Sequence, residues 1–466
     1  MTLERAAAAC IFAAFEGTTA PSWLLEWCER GLGGVVLFAG NVGDDLAALT
    51  AALHEARPEL VVATDEEGGD VTRLEAERGS SYPGNAALGV VDDVELTEAV
   101  AAALGTDLAA AGIDLDLAPV ADVNSNPANP VIGIRSFGSD PEHVAAHVAA
   151  FVRGLQGAGV AACAKHFPGH GDTAVDSHLD LPVISGDRAS FERTALPPFV
   201  AAIEAGVRAI MTAHIRVDAL DSVPATLSRA ILHDLLRVRL GFDGVVVTDA
   251  LEMRAIAGTV GMEQGAVRAV AAGADALCLG AVIDDDAVTR VHSALVAGVG
   301  NGALREDRVR EAAARVEALA TSMRPHPANA ARDVGAEAAA RALVVEGDLG
   351  LESPPLVVEL RPPASIAAGD ARHGLGELLR ARVQGVDVLR VTERERLDVD
   401  RDRPLVVVVR DAHRYEWERE AVERLSPAVV VETGLPLWRP ANGGYVATYG
   451  GGRANLEAAA DLLAGR

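Results

Sequence analysis

Eight short apolar runs recur between residues 8 and 280 of this 466-residue chain and alternate with helical patterns. Each run is continuously apolar, as expected for parallel strands that helices cover on both faces. The runs are ACIFAAFEG, GGVVLFAG, ELVVATDEEGG, GIDLDLAPVADV, GVAACAKHFPGHGD, VRAIMTAHI, FDGVVVTDALEM and ADALCLG. Eight strand–helix repeats predict a (β/α)8 TIM-type barrel. A doubly wound sheet is the alternative, but no GxGxxG follows the first strand.

A break in the helical pattern near residues 321–337 contains two prolines and predicts a linker. Beyond it, five apolar runs alternate with helical stretches, and the chain ends in RANLEAAADLLAG. This pattern predicts a smaller C-terminal α/β sandwich domain, an open sheet with helices on its faces. We therefore expect a catalytic barrel over residues 1–322, a linker over 323–338 and a C-terminal domain over 339–466.

The charge balance and the cysteines restrict the partners and the compartment. Lys and Arg number 41 against 67 Asp and Glu, a formal net charge of -26. This field repels phosphate backbones and anionic lipid, so neither nucleic acid nor a membrane is an expected partner. The four cysteines form no CxxC pair, which predicts buried reduced thiols and a cytoplasmic location. The N-terminal apolar stretch, flanked by Glu4 and Glu16, fits a first barrel element better than a signal peptide.

Ionisable side chains lie just past the carboxyl ends of several predicted strands. In a (β/α)8 barrel these ends converge on one mouth, where the chemistry takes place. The predicted active site there is made of Asp65, Lys165, His166, His214 and Asp249.

The stretch KHFPGHGDTAVDSH, residues 165–178, permits three interpretations. His166 and His170 have the i,i+4 spacing of a helical metal site, but a proline and a glycine between them do not suit a helix interior. A structural loop is the second interpretation, and we prefer it for His170 and Asp172, whose side chains would hold the loop's shape. For Lys165 and His166, burial without a function would be costly.

The third interpretation concerns Asp176 and His178. A carboxylate two residues before an imidazole can fix its tautomer and raise its basicity. A histidine tuned in this way can donate and recover a proton near neutral pH. The glycines of the loop would let it swing over the mouth after substrate binds.

Five ordered blocks of sequence give this site a family context. They are DEEGGDVTRL, NPVIGIRSFGSDP, KHFPGHGDTAVDSHLDLP, MTAHIRVDALDSVPATLS and LGFDGVVVTDALEM. Together they resemble glycoside hydrolase family 3, specifically its β-N-acetylglucosaminidase branch, over the whole barrel. Ile134 and Ala250 stand where many relatives carry a polar and an acidic residue, which affects fine specificity rather than the reaction.

The resemblance implies three catalytic and five sugar-binding residues. Asp249 matches the nucleophile that forms a covalent glycosyl-enzyme, His178 the general acid/base, and Asp176 the carboxylate paired with it. The residues that match the sugar-binding set are Asp65, Arg73, Arg135, Lys165 and His166. No metal and no cofactor are implied.

The expected activity is retaining hydrolysis of terminal β-linked N-acetylglucosamine from small cell-wall or chitin-derived glycosides. A phosphorylase on the same scaffold is the alternative, because a neutral imidazole would not repel phosphate as a carboxylate would. A barrel metallohydrolase is less favoured, since the first predicted strand carries no paired histidines. A non-catalytic sugar-binding module would require Asp249 and His178 to be dispensable.

Overall fold

The fold is seen in a computed structural model, which describes residues 1–175, 180–281, 283–322, 333–363, 374–393, 399 and 402–466. The chain divides into two compact units. The first comprises residues 1–66, 97–132 and 138–330, and the second comprises residues 67–96, 133–137 and 331–466.

Ten strands lie in the part of the first unit that the structure describes. They are β1 Ile11–Ala13, β2 Gly34–Leu37, β3 Val61–Thr64, β4 Leu115–Asp116, β5 Ala161–Phe167, β6 Val183–Ile184, β7 Ala209–Thr212, β8 Arg216–Val217, β9 Val245–Thr248 and β10 Leu277–Cys278. Eight of them form one parallel sheet in the order β10-β1-β2-β3-β4-β5-β7-β9, while β6 pairs with β8. A parallel bridge from Val247 to Ala276 closes the sheet into a barrel. Each predicted run holds one barrel strand, so the predicted (β/α)8 fold is confirmed.

Helices alternate with these strands along the chain. They are α1 Leu3–Ala9, α2 Ser22–Arg30, α3 Leu46–Ala56, α4 Asn85–Val91, α5 Val94–Ala110, α6 Pro141–Gly157, α7 Arg188–Ala195, α8 Pro197–Glu204, α9 Arg254–Ala257, α10 Met262–Ala272, α11 Asp285–Gly300 and α12 Glu306–Ser322. Single 3-10 turns occur at Ala39–Asn41, Gly133–Arg135 and Ala225–Leu227, and a wider π-type helix spans Ala230–Arg239. Of these elements α4 and the turn Gly133–Arg135 lie in the second unit.

Helix α6 illustrates how the local sequence specifies these elements. Asp140 caps its first turn by accepting the His143 backbone N–H at 2.9 Å, and Pro141 occupies the first helical position. Its buried face includes Val144, Val148 and other residues at helical spacing, so one stripe packs on the barrel.

Small and medium side chains fill the interior of the barrel. Among the buried residues there are Val36, Ala63, Leu115, Cys163 and Met211, each from a different strand. A packed interior of this kind leaves the carboxyl-end mouth as the place for a binding site. All four cysteines are free and buried, as predicted.

In its described residues, the second unit contains a six-stranded sheet and four further helices. The strands are β11 Val344–Glu346, β12 Leu356–Leu360, β13 Asp387–Val391, β14 Leu405–Val409, β15 Val429–Glu432 and β16 Gly444–Ala447, in the order β11-β16-β15-β14-β12-β13. The helices are α13 Val334–Arg341, α14 Leu375–Arg380, α15 Glu416–Leu425 and α16 Arg453–Leu463. Residues of α14 and α16 pack on one face of the sheet and residues of α15 on the other, which confirms the predicted α/β sandwich.

The domain boundaries drawn from the sequence stay a prediction. Residues 323–332 of the predicted linker lie outside the described residues, and α13 begins at Val334, within that linker. Among the helices of the described ranges, none combines the length and the apolar character needed to cross a bilayer.

Candidate active site

The predicted polar residues of the first unit lie at the carboxyl ends of the barrel strands. Asp65 directly follows β3, Lys165 and His166 lie in the last part of β5, and Asp249 directly follows β9. Because these strands are parallel neighbours in a closed sheet, their carboxyl ends form one rim. The arrangement brings Asp65, Lys165, His166 and Asp249 to the same mouth.

Lys165 and Asp65 form a buried ion pair. Lys165 Nζ donates to Asp65 Oδ1 at 2.6 Å, and Lys165 is only 1% exposed. Two charges at such a site are tolerable only when each is paired. Asp116, fully buried nearby in β4, has its pKa raised well above the ordinary value by burial and by the Glu66 carboxylate. Asp65 is the carboxylate that contacts the Lys165 ammonium directly.

Asp122 organises the two histidines of the segment that follows. Its Oδ2 accepts a hydrogen bond from His166 Nδ1 at 2.7 Å, and its Oδ1 accepts one from the His170 backbone N–H at 2.6 Å. Burial alone would raise the pKa of Asp122, but the His166 imidazole and these hydrogen bonds hold it below the ordinary value. Because a carboxylate only accepts, this contact places a proton on Nδ1 of His166. The sequence analysis did not predict Asp122, although this residue lies in the segment that follows β4.

His170 is buried in its neutral form. Its hydrogen bonds hold the loop, which agrees with the structural role that the sequence analysis preferred for it. Burial lowers its pKa to about 4, and the charges of Asp122 and Asp249 act in the opposite direction. Its Nδ1 lies 2.8 Å from Thr173 Oγ1, and its carbonyl accepts from Asn129 Nδ2 at 2.9 Å. The Asp249 carboxylate is thus near enough to act electrostatically on the segment that begins at Lys165.

The segment that carries Asp249 is held by His214. The Asp249 Oδ1 atom accepts the backbone N–H of Ala250 at 2.8 Å, and the Ala250 carbonyl lies 3.0 Å from His214 Nε2. Since a carbonyl only accepts, Nε2 is the protonated nitrogen and Nδ1 faces the Thr226 hydroxyl at 2.7 Å. His214 therefore positions the Asp249 turn.

The other two predicted sugar-binding residues lie in the second unit. Arg135 donates from Nε and Nη2 to the two carboxylate oxygens of Glu67, at 2.9 and 2.7 Å. Arg73 is half-buried in the segment 67–96. A bidentate arginine–carboxylate pair fixes the plane of the guanidinium. Sequence reasoning missed Glu67, which stands inside the quoted block DEEGGDVTRL.

Asp176 and His178 lie outside the described residues, so their pairing stays a prediction. The helical metal-site interpretation of His166 and His170 has no support in the local structure, because His166 belongs to strand β5 rather than to a helix. Both Nδ1 atoms already face protein groups, Asp122 and Thr173.

Three kinds of comparison place the chain among known proteins. It is 42% identical over 265 residues to Beta-hexosaminidase A of Pseudoalteromonas piscicida, covering 51% of this chain and 44% of that protein. It is 41% identical over 253 residues to a Beta-hexosaminidase of Chromobacterium violaceum, covering 52% of this chain and 70% of that protein. The match thus spans less than half the length of the first relative and about two thirds of the second.

A solved structure resembles the whole chain. The glycoside hydrolase family 3 beta-N-acetylglucosaminidase from Paenibacillus sp. str. FPU-7 superposes with a TM-score of 0.89 at 32% identity, covering 100% of this chain and 97% of that one. A family model described as Glycosyl hydrolase family 3 N terminal domain matches residues 22–319. This match takes in well over half of the sequence and all of the barrel-mouth residues described above, and by it the chain belongs to glycosyl hydrolase family 3, as its motifs predicted.

Proposed function

We propose that this family 3 enzyme is a retaining β-N-acetylglucosaminidase. Its substrates are small cell-wall or chitin-derived glycosides that carry a terminal β-linked N-acetylglucosamine. The observation that carries the proposal is the common barrel mouth of Asp249, the Lys165–Asp65 pair and the Asp122-held histidines. The names of the relatives and of the Paenibacillus enzyme support the same activity.

In the proposed reaction the Asp249 carboxylate attacks the anomeric carbon as the bond to the leaving oxygen breaks. His178 protonates that oxygen, and Asp176 orients the imidazole. Water then attacks the glycosyl–Asp249 ester while His178 takes its proton. Two inversions give net retention of the β configuration. Since the protein supplies the nucleophile, the substrate's acetamido group need not attack its own ring.

The sugar is held by charged groups that its hydroxyls can pair with. Asp65 can accept from adjacent hydroxyls, while Lys165, His166, Arg73 and Arg135 supply further polar contacts. A site built to hydrogen-bond hydroxyls rejects analogues that lack them far more strongly than an apolar pocket does.

The first experiment compares wild-type and Asp249→Asn enzyme on a β-N-acetylglucosaminide with an activated leaving group. Asparagine keeps the shape but cannot form the ester, so kcat should fall by at least about a thousandfold. Unchanged melting temperature shows that the variant is folded. Retained turnover in folded Asp249→Asn would contradict the proposed role.

His178→Ala tests the proposed acid/base. Loss of proton donation should reduce kcat/KM by about a hundredfold or more for a poor leaving group and much less for an activated one. A uniform reduction for both leaving groups would assign His178 to binding instead of proton transfer.

Phosphorolysis is the second candidate, because a histidine acid/base leaves room for an anionic phosphate near the anomeric carbon. The product distinguishes the two reactions. Hydrolysis predicts free N-acetylglucosamine as the main product at millimolar phosphate, whereas a phosphorylase would release N-acetylglucosamine-1-phosphate. A metallohydrolase would lose its activity in EDTA, and we expect full activity there.

We further propose a cytoplasmic enzyme with no nucleic-acid or membrane partner; peptidoglycan recycling would be its role where cell-wall fragments, rather than chitin-derived glycosides, are its substrates. The four free and buried thiols and the net charge of -26 support this placement. The barrel over residues 1–322 would carry catalysis, and the C-terminal domain over 339–466 would have a structural role.

A further inference from the structure

A groove of about 560 Å³ lies on the first unit, at the rim formed by the carboxyl ends of β1, β9 and β10. Phe15 follows β1, Glu252 follows β9 and Ile283 follows β10, and all three line the groove. Its volume falls in the range of small-molecule sites. The function proposed above uses none of the residues that line it.

One wall of the groove is apolar and aromatic. Trp23, in the first turn of α2, is half-buried there, together with Met262 and Ile283. Indole rings offer a large flat apolar surface, which suits the carbon–hydrogen face of a sugar ring. An amphipathic ring ligand fits the groove better than a chain-like apolar ligand does, because charged side chains line it beside the apolar ones.

Acidic side chains also line the groove. Glu16, Glu252 and Asp284 line it with exposed carboxylates. The guanidinium of Arg290 is also present, but its Nε donates to Glu263 at 2.8 Å, so a carboxylate outside the groove already offsets its charge. The net field in the groove is negative, which disfavours anionic ligands and favours neutral or cationic ones.

The groove adjoins the segment that carries Asp249. Glu252 lies three residues further along the same turn, and its Oε1 accepts the Ala281 backbone N–H at 3.0 Å. Burial, and after it the charges of Glu252 and Asp249, raise the pKa of the Cys278 thiol at the end of β10. Both carboxylates therefore lie near the same sulfur, one in the groove wall and the other at the barrel mouth.

We propose that this groove is the subsite for the leaving group and that it accepts neutral or cationic amino sugars, as in chitin-type oligosaccharides, while disfavouring anionic sugars of the muramic acid type. The proposal rests on the proposed glycosidase function. Trp23 stacks on the leaving sugar, and Glu16 and Glu252 set the charge preference.

The first test separates the leaving-group subsite from the reacting centre. N-Acetylglucosaminyl fluoride has no leaving sugar, whereas N,N′-diacetylchitobiose has one. Trp23→Ala should lower kcat/KM for the disaccharide by about tenfold and leave the fluoride unchanged, and Trp23→Phe should recover most of the loss. Trp417→Ala, which removes a half-buried tryptophan of the second unit, is the matched control and should not discriminate between the substrates.

The second test addresses charge. Three disaccharides are compared, with glucosamine, N-acetylglucosamine or N-acetylmuramic acid as the leaving sugar, at a pH where the amine is protonated. Wild-type kcat/KM should be lowest for the anionic sugar, and Glu16→Gln should narrow the gap by roughly two- to fivefold. Preference for the anionic sugar, or equal slowing of fluoride and disaccharide by Trp23→Ala, would overturn the proposal. Failure of the wild type to cleave the fluoride would instead refute the glycosidase function itself.

Discussion

At the scale of single residues, Asp122 determines how the histidine segment behaves. It accepts from the His166 imidazole and from the backbone N–H groups of His166 and His170. These hydrogen bonds orient the His166 imidazole and fix the backbone at His166 and His170. The two histidines differ in role, because His166 is oriented by a charge while His170 is a buried neutral spacer.

His170 predicts a pH dependence of stability. Its pKa is about 4 in the folded protein, against an ordinary value of 6.5. As the pH falls, the unfolded chain therefore binds the proton before the folded one does. The contribution of neutral His170 to the free energy of unfolding is present above about pH 6.5 and is lost as the pH falls towards 4. The loss amounts to about 3 kcal/mol. His170→Gln should flatten this part of the curve, measured as the free energy of unfolding by urea.

His54 serves as the control, because its pKa is shifted in the opposite direction to that of His170. A hydrogen bond to Asp114 Oδ2, 2.8 Å from His54 Nε2, raises the pKa of His54 despite its partial burial. The contribution of His54 to the free energy of unfolding is therefore present at low pH and is lost as the pH rises through its pKa in the folded protein. Equal slopes for His54→Gln and His170→Gln would contradict the opposite signs of the two pKa shifts.

At the scale of elements, Asp275 stabilises the amino end of β10. The fully buried carboxylate accepts from Arg237, Arg308 and Arg315, and from the backbone N–H of Val246 in the neighbouring strand β9. The π-type helix and α12 supply the three guanidiniums. One buried charge thus joins two strands and two helices at the end of the barrel opposite to the mouth.

Asp275→Ala should destabilise the protein by about 3 to 5 kcal/mol, because it leaves buried arginines without their carboxylate. KM should stay unchanged at temperatures where the variant is folded, since Asp275 lies at the other end of the barrel. Thermal unfolding and steady-state kinetics together check this. Asp307→Asn, in the exposed pair with Arg305, should not shift the melting temperature measurably. A shifted KM for folded Asp275→Ala would contradict the structural role.

The sequence predicted the elements that carry a strong apolar signal. All eight barrel strands and five strands of the second sheet coincide with the predicted runs. Strand β11 was missed because its residues are mostly exposed and it pairs antiparallel at the edge of the sheet, so it needs no continuous apolar run. Helix α13 was missed because nearby prolines dominated the local pattern in the predicted linker.

The site residues, too, could be predicted where the signal is local and not where it depends on contacts between distant residues. The common position of Asp65, Lys165, His166 and Asp249 could be predicted because strand ends can be recognised locally and the barrel brings them together; their roles stay a prediction. Asp122 and Glu67 act through partners 44 and 68 residues away, and local patterns do not encode such pairings.

At the scale of the whole molecule, the second unit is not a simple C-terminal domain. Segment 67–96 belongs to it with residues 331–466. Asp70 accepts from Arg410 and from the Gly451 backbone N–H, and Glu75 Oε1 accepts from Arg453 at 2.8 Å. Since Glu67 of this segment orients Arg135, the C-terminal part of the chain supports a predicted sugar-binding arginine.

Arg410→Met should loosen segment 67–96 specifically. Removing the guanidinium leaves the mostly buried Asp70 without its charged partner, so amide hydrogens in 67–84 should exchange faster while those of the barrel strands keep their protection. Hydrogen–deuterium exchange with peptide-level mass spectrometry measures both regions. Arg439→Met, from the more exposed pair with Glu346, is the control and should leave 67–84 unchanged. Unaltered exchange in Arg410→Met would show that the ion pair does not hold the segment.

The most direct test of the proposed mechanism is covalent trapping of the glycosyl-enzyme. Incubation with a 5-fluoro N-acetylglucosaminyl donor, followed by proteolysis and mass spectrometry, identifies the residue that attacks the anomeric carbon. We predict one sugar adduct, on Asp249, and none in the Asp249→Asn variant. A label on another side chain, or turnover of the donor with inversion and without any adduct, would contradict the proposed mechanism.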